Sequence, residues 1–309
     1  MDPSRLPPCV LLAGPTASGK TALGVELALE LSAEVVSADS MLVYRHLDVG
    51  TAKPTDKDRR GIAHHLIDIV DPSEHYDAAR FRHDALDALS SLARRARPAL
   101  VVGGTGLYLR ALRSGLADTP PSDPEFRAEI ERRAAEEGTA ALHAHLARID
   151  PETAGAVHPN DLVRIQRALE IHHTTGRPAS ELRREHGFRP SGLRALYLAL
   201  ELDGDVLRKR IRERAEAMVE AGLLDEVRGI LDMGYGPELR PLGSLNYRHA
   251  IAHLSGEYGL DEMVEHMATD TWQFSRRQRR WFRGEEGVRF VDPDPAAILD
   301  LAKRHLRPE

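Results

Sequence analysis

Short apolar runs alternate with amphipathic stretches along the first part of this chain, and the alternation predicts a fold. Cys9-Val10-Leu11-Leu12-Ala13 is apolar throughout, as a strand buried on both faces is, and Thr21 to Leu31 then reads as a helix. Glu34 to Ala38 predicts a second strand, ending at Asp39-Ser40. A polar, irregular segment runs from Val43 to Gly61, and His64 to Ile69 offers a third strand. Between Asp77 and Arg95, Phe81, Leu86, Leu89 and Leu92 fall at helical spacing. Ala99 to Val102 is a further apolar run, turned by Gly103-Gly104 into a helix carrying Leu107, Leu109 and Leu112. Strands alternating with helices predict a parallel sheet covered on both faces.

The alternation stops near Ala117. Thr119-Pro120-Pro121-Ser122-Asp123-Pro124 is a turn-rich linker in which Ser122 or Asp123 can cap the next helix. From Glu125 to about Gly187 the pattern is helical, interrupted at Gly138, Pro151, Pro159 and Gly176-Arg177-Pro178. Leu193 to Glu201 reads as a return to the sheet, followed by one long helix over Asp205 to Met233. Helices at Asn246 to Ser255 and Leu260 to Arg283, a last strand at Val288 to Val291 and a closing helix complete the pattern.

Composition narrows the setting. A chain of 309 residues with 42% hydrophobic content can bury a large core, or one domain plus a smaller one. No apolar run approaches membrane-spanning length, and Met1-Asp2-Pro3-Ser4-Arg5 lacks the features of a signal peptide, so a cytoplasmic protein with no membrane partner is expected. The single cysteine, Cys9, excludes internal disulfides and multi-cysteine zinc sites, and in the first strand it suits a small buried hydrophobe. A formal charge of -6 argues against nonspecific nucleic-acid binding by the whole surface but leaves room for a local basic groove.

The connection between the first strand and the first helix is the most specific feature. Gly14-Pro15-Thr16-Ala17-Ser18-Gly19-Lys20-Thr21 fills every fixed position of the phosphate-binding pattern G-x-x-x-x-G-K-[ST], after a strand and opening a helix, where the pattern works. Glycines let backbone N–H groups turn inward, and the helix N-terminus adds a field that favours anions. Lys20 would reach the outer phosphates, and the Thr21 hydroxyl would ligate a magnesium ion bridging them. The expected fold is therefore α/β: a P-loop NTPase-like parallel sheet flanked by helices, built from residues 1–117 and 192–309, with residues 118–191 as a helical insertion domain.

Three further features bear on chemistry. Asp39 ends a parallel strand, where ligands of such sheets bind, and reads either as a metal-shell or proton-accepting carboxylate or as a strand-end cap. The strand Ala99 to Val102 ends in Gly103-Gly104-Thr105-Gly106, not in the acid that a P-loop ATPase uses to order magnesium and water. Those glycines would let a substrate approach the backbone, with Thr105 as a donor, or form a plain strand-to-helix turn. Arg276-Arg277-Gln278-Arg279-Arg280-Trp281-Phe282-Arg283 is the strongest basic cluster, spaced on a helix to track phosphates while its aromatics pack or stack. Arg208, Arg210, Arg212 and Arg214 are less telling because acids interleave with them, and His64-His65 cannot chelate one metal as strand neighbours.

Taken in order, these blocks resemble the tRNA dimethylallyltransferases, also called tRNA isopentenyltransferases. The resemblance rests on the phosphate loop together with Asp39 to Arg45, Gly50-Thr51-Ala52-Lys53-Pro54, His64 to Asp68, Gly103 to Tyr108, His158 to Asp161 with Arg164 to Glu170, Gly222 to Val227, and Arg276-Arg277-Gln278 with Trp281-Phe282-Arg283. It implies transfer of a dimethylallyl group from dimethylallyl diphosphate to N6 of adenine 37 in tRNA, with Mg2+ as cofactor and the anticodon stem-loop as partner. The loop then grips a diphosphate leaving group, with Arg214 as a further contact, and Asp39 takes the N6 proton beside Lys20 and Thr21. The implied tRNA contacts are Asp39, Ser40, Met41 and Leu42; Thr105 and Arg127; Val163, Arg164, Ile165, Gln166 and Arg167; Gly243, Ser244, Leu245, Asn246, Tyr247 and Arg248; and the segment Arg276 to Arg283. The adenine would have to leave its stack. Leu42 stands where many members have Gln, and Asn246-Tyr247-Arg248 replaces the usual Gly-Tyr pair. The form expected is the bacterial one without a C-terminal zinc finger, acting as a monomer.

Two other readings of the same residues stay open at this level: a small-molecule or nucleoside kinase holding ATP in the loop with Asp39 as base, and a noncatalytic nucleotide-gated RNA-binding protein. A related class that prenylates free adenosine nucleotides differs in its acceptor; the insertion and the arginine helix favour tRNA.

Overall fold

The computed structural model describes residues 6–186 and 192–307. The chain divides into two compact units, Met1–Arg113 with Ser191–Glu309, and Ser114–Pro190. The expected end of the insertion at residue 191 and the stretch Met1 to Arg5 lie outside the described residues.

Elements run in chain order as β1 (Cys9–Ala13), α1 (Lys20–Leu31), β2 (Glu34–Ser37), α2 (Asp56–Arg59), β3 (His64–His65), α3 (Ala78–Arg94), β4 (Ala99–Gly103) and α4 (Gly106–Ser114). The smaller unit holds α5 (Pro124–Glu137), α6 (Thr139–Ile149), α7 (Pro151–Ala156), α8 (Leu162–Thr175) and α9 (Ala179–His186). The larger unit resumes with β5 (Ala195–Leu200), α10 (Gly204–Glu220), α11 (Leu223–Asp232), α12 (Leu245–Leu254), α13 (Leu260–Arg283), β6 (Arg289–Val291) and α14 (Pro295–Leu306).

The strands form one parallel sheet in the order β3-β2-β4-β1-β5-β6. The central strand β1 sets Leu11 beside Val101 on β4 and Tyr197 on β5, and all five of its residues are buried. One face is covered by α1 and α14, where Leu23, Leu27, Ile298 and Ala302 pack with Val10, Leu12 and Leu100. Burying both faces explains why β1 and β4 are apolar without alternation. The carboxyl end of β1 delivers the phosphate loop to the middle of the sheet edge.

Several expectations need correction. The third strand is two residues long, not six: Leu66 and Asp68 take positive φ of 62 and 57 and bend the chain away. His64 and His65 have separate structural partners, the Ile62 carbonyl at 2.9 Å and the Glu34 carboxylate at 2.8 Å. The segment Val43 to Gly61 contains α2, capped by Thr55, whose hydroxyl accepts from the Asp58 N–H. The single helix over 205–233 is two, because Gly222 takes φ 95, a left-handed conformation that ends α10 and starts α11.

In the smaller unit Asp123, not Ser122, caps α5 by accepting from the Phe126 N–H, with Pro124 in the first turn. Its core joins Ile130, Leu142, Leu146, Ile165 and Leu169. Beside that core lies a polar knot. Glu170, 0% exposed, accepts from Arg127 Nε at 2.7 Å, from Arg127 Nη2 at 3.0 Å, from the Asp123 N–H at 2.7 Å and from Arg167. Burial alone would raise the Glu170 pKa, but these donors outweigh it and hold the carboxyl down to about 2. No helix among the described residues is long and apolar enough to cross a membrane.

Candidate active site

A cleft of about 390 Å³ opens at the carboxyl ends of β1, β2 and β4 in the larger unit. Its polar part gathers Thr16, Lys20 and Thr21 from the phosphate loop, Asp39 and Ser40 from the end of β2, Thr105 from the turn after β4, and Arg214 from α10. An apolar wall faces them. Ile211, Ala215 and Met218 lie at three- and four-residue spacing on one face of α10, and Leu42, Leu245 and Phe274 also line the cleft.

The geometry follows from local structure. Gly19 takes φ 86 at the start of α1, turning the loop so that its following residues, Lys20 and Thr21, face the cleft. The Lys20 ammonium donates to the Pro15 carbonyl at 3.3 Å. Burial pushes its pKa down to about 8, with Asp39 acting to raise it and Arg214 to lower it further. Burial likewise lowers the Arg214 pKa against the pull of Asp39, and its guanidinium donates to the Thr51 carbonyl at 3.1 Å. Two cations beside one carboxylate, half-buried, make a site that gains by taking up an anion.

Asp39 is held by its surroundings. Its Oδ1 accepts from the Met41 N–H at 2.9 Å, and Thr105 Oγ1 accepts from the Ser40 N–H at 3.0 Å. The Thr105 N–H in turn donates to the Ala38 carbonyl at 3.2 Å. The other carboxylate oxygen of Asp39 makes no hydrogen bond among those described, so it can serve a ligand in the cleft.

Gly103, the last residue of β4, lines the cleft, and the glycines of this turn also meet close neighbours inside the protein. A Cβ on Gly103 would lie 2.1 Å from the Ala38 carbonyl oxygen, one on Gly104 2.5 Å from Gln278 Nε2, and one on Gly106 2.2 Å from the Trp281 indole nitrogen. The close approach they permit is to β2 and to α13.

A third wall of the cleft, Gly50-Thr51-Ala52, belongs to no helix or strand and hangs from one carboxylate. Glu226 of α11 accepts from the N–H groups of Asp48 at 2.9 Å, Val49 at 2.6 Å and Gly50 at 3.0 Å, and from the Tyr247 hydroxyl at 2.5 Å. Lys53, a buried lysine, donates to Asp48 at 2.6 Å, to the Tyr44 carbonyl at 2.8 Å and to Asp68. Three sequence blocks that had no assigned role, around Gly50, Asp68 and Glu226, thus interlock to shape the cleft. Their charges were the available signal; their pairing is tertiary.

The expected RNA-contact residues divide. Asp39, Ser40, Met41, Leu42, Thr105, Gly243, Ser244, Leu245, Asn246 and Gln278 line the cleft. Arg276, Arg277, Arg280 and Arg283 are exposed on the outer side of α13, Arg279 is half-buried, and Val163 and Arg164 are exposed on α8. Arg248 is exposed and pairs with Asp270. Ile165, Tyr247 and Phe282 are buried and pack inside their units, so their side chains reach no surface. Gln166 is 7% exposed and donates to the Arg127 carbonyl, while Arg127 and Arg167 are engaged by Glu170. Trp281 is half-buried, with the Arg110 guanidinium 4.1 Å from its ring centre.

The chain is similar to known proteins over most of its length. A family model for IPP transferase matches residues 42–285. A tRNA dimethylallyltransferase of Geobacter metallireducens is 45% identical over 283 residues, 92% of each chain. Among solved structures, a full-length tRNA isopentenylpyrophosphate transferase from Bacillus halodurans superposes with a TM-score of 0.71 at 35% identity, covering 98% of this chain and 97% of its own. A eukaryotic dimethylallyltransferase acting on tRNA superposes with a TM-score of 0.79 at 28% identity, over 96% of this chain and 77% of that one.

Proposed function

The chain belongs to the IPP transferase family, and from that premise we propose that it transfers a dimethylallyl group from dimethylallyl diphosphate to N6 of adenine 37 in tRNA, next to the anticodon. It is a tRNA-directed prenyltransferase; the donor, the target atom and the residues that serve them are our reading. One observation carries that reading: a single cleft joins an anion-binding loop with Lys20 and Arg214, a carboxylate at Asp39, and an apolar wall on α10. A kinase reading accounts for the loop and the carboxylate but gives the apolar wall no work.

In the proposed reaction the adenine N6 lone pair attacks C1 of the dimethylallyl group. The C1–O bond breaks with its electron pair passing to the diphosphate, and the N6 proton goes to Asp39. Lys20, Arg214 and the loop N–H groups hold the diphosphate as its charge grows, where fixed donors are worth most. Ile211, Met218, Leu245 and Phe274 would enclose the allyl chain and keep water from its cation-like carbon. Thr105 and Ser40 hold the backbone around Asp39 and so aim the base.

Magnesium fits this donor set. Among the described residues no group of three or more His, Cys, Asp or Glu could cage a metal, whereas Thr21 and Asp39 share the cleft with the phosphate loop. A hard cation that keeps waters and phosphate oxygens needs only one or two protein oxygens. When bound, magnesium would neutralise charge on the departing diphosphate. The outward arginines of α13 would follow the anticodon stem-loop backbone, and the protein would work as a cytoplasmic monomer.

The test is incubation of the purified protein with magnesium, dimethylallyl diphosphate and unmodified tRNA, followed by nucleoside mass analysis. A dimethylallyl mass gain on adenosine is expected, lost when the target adenine is replaced. Asp39→Asn should lower kcat by ~10²–10⁴-fold while tRNA affinity holds. No mass gain with the wild-type protein, or phosphoryl transfer from ATP in its place, refutes the proposal.

A further inference from the structure

Gln278 lies on the inward side of α13 and is 7% exposed, while Arg276, Arg277, Arg280 and Arg283 of the same helix turn outward. Its side-chain oxygen accepts from the Thr16 N–H of the phosphate loop at 2.8 Å, and its amide nitrogen donates to the Gly104 carbonyl at 2.8 Å. The partners fix which way the amide lies, since one needs an acceptor and the other a donor. From Gly104 the connection continues through the chain. Thr105 donates its N–H to the Ala38 carbonyl and accepts from the Ser40 N–H, gripping the backbone on either side of Asp39. An unbroken line thus runs from the loop, through one buried amide, to the carboxylate.

We infer that Gln278 is a positioning residue that sets the phosphate loop and Asp39 at a fixed separation, a role distinct from RNA contact. The inference rests on the reading that the loop holds the leaving diphosphate and Asp39 the attacking amine. Displacement requires nucleophile, carbon and leaving group in line, and a misplacement of about 1 Å costs about 10²-fold in rate. Both hydrogen-bonding ends of Gln278 are spent inside the protein, leaving its neighbours on the outer face to meet RNA.

Three measurements on Gln278→Leu and Gln278→Glu test this. The leucine variant keeps bulk and removes both bonds; its kcat should fall by about 10²-fold with tRNA affinity preserved. Its affinity for magnesium diphosphate, read by calorimetry, should also fall. The glutamate variant accepts from Thr16 when ionised but sets an anion against the Gly104 carbonyl; protonated, it donates as the amide does. Burial raises such a carboxyl, against the pull of the Lys20 ammonium, whose side chain packs at Gly104 beside Gln278, and its kcat relative to wild type should climb as pH falls from about 8 to about 6. A leucine variant with wild-type kcat, or one whose loss lies wholly in tRNA affinity, overturns the inference. So does a flat pH ratio for the glutamate variant, which still decides the matter if the leucine variant does not fold. If wild type transfers no prenyl group, the functional reading fails by itself. Diphosphate affinity then decides the positioning claim: weakening by Gln278→Leu upholds it for the loop, and unchanged affinity sinks it.

Discussion

Glu170 should be the most costly single side chain to remove from the smaller unit. Its carboxylate is fully buried and gathers two guanidinium groups and a backbone N–H. Glu170→Ala removes the acceptor these donors share, although Arg167 keeps the Thr119 hydroxyl and the Pro120 carbonyl, and breaking a buried pair in this way costs about 3–5 kcal/mol. Arg127 and Arg167 keep side-chain exposures of 34% and 32%, so water recovers part of the loss and about 3 kcal/mol is expected. The proton linkage gives the same scale. A carboxyl held down to about 2 from an ordinary 4.5 corresponds to about 3 kcal/mol of differential interaction. Because the folded-state pKa is the depressed one, this stabilisation is fully present above pH 4.5 and is lost as pH falls toward 2. Glu170→Gln keeps the shape without the titration. The assay is urea unfolding followed by hydrogen exchange on peptides spanning 124–186, at neutral pH and near pH 3. The gap between wild type and Glu170→Gln should be large at neutral pH and less than half as large near pH 3. A gap that does not change with pH, or an alanine variant within about 1 kcal/mol of wild type, would show that the carboxylate is not what ties α5 to α8.

Two further outcomes follow from the larger unit. Arg280→Glu changes an exposed side chain of α13, so melting should be unaffected, while tRNA binding weakens and the slope of log affinity against log salt drops by about one, measured by filter binding. Glu226→Ala leaves three backbone N–H groups and the Tyr247 hydroxyl without their acceptor. Thermal and urea denaturation should register a loss of about 3–5 kcal/mol, and about 1–2 kcal/mol for Glu226→Gln; an alanine variant as stable as wild type would contradict the anchor.

The core sheet and the phosphate loop were legible because their determinants are local: apolar runs bounded by turns, and a loop whose residue types are dictated within eight positions. Gly222 was not read as a break, since the helical spacing of apolar residues continues across it and only the observed φ reveals the stop. The glycines at 103, 104 and 106 read as room for a substrate or as a plain turn; their protein neighbours, Ala38 and residues about 175 positions away, lie outside any local window. The basic stretch of α13 was visible as charge, yet charge along a helix does not say which residue turns inward. Gln278 and Phe282 sit in the same run as the exposed arginines and face the other way. The interlock around Glu226 depends on three distant blocks meeting, which no single window of sequence contains.

Cys9 has a practical consequence. It is the sole thiol of the chain, 1% exposed in the central strand, and burial pushes its pKa up to about 12. Thiolate is the species that labelling reagents attack, so the native protein offers a silent background to maleimide chemistry. Cysteines introduced at Arg277 on α13 and at Val163 on α8, both exposed, would place one dye in each unit without first stripping the chain of its own thiol. The separation of the two units, free and with RNA bound, then becomes a distance that fluorescence can follow in real time.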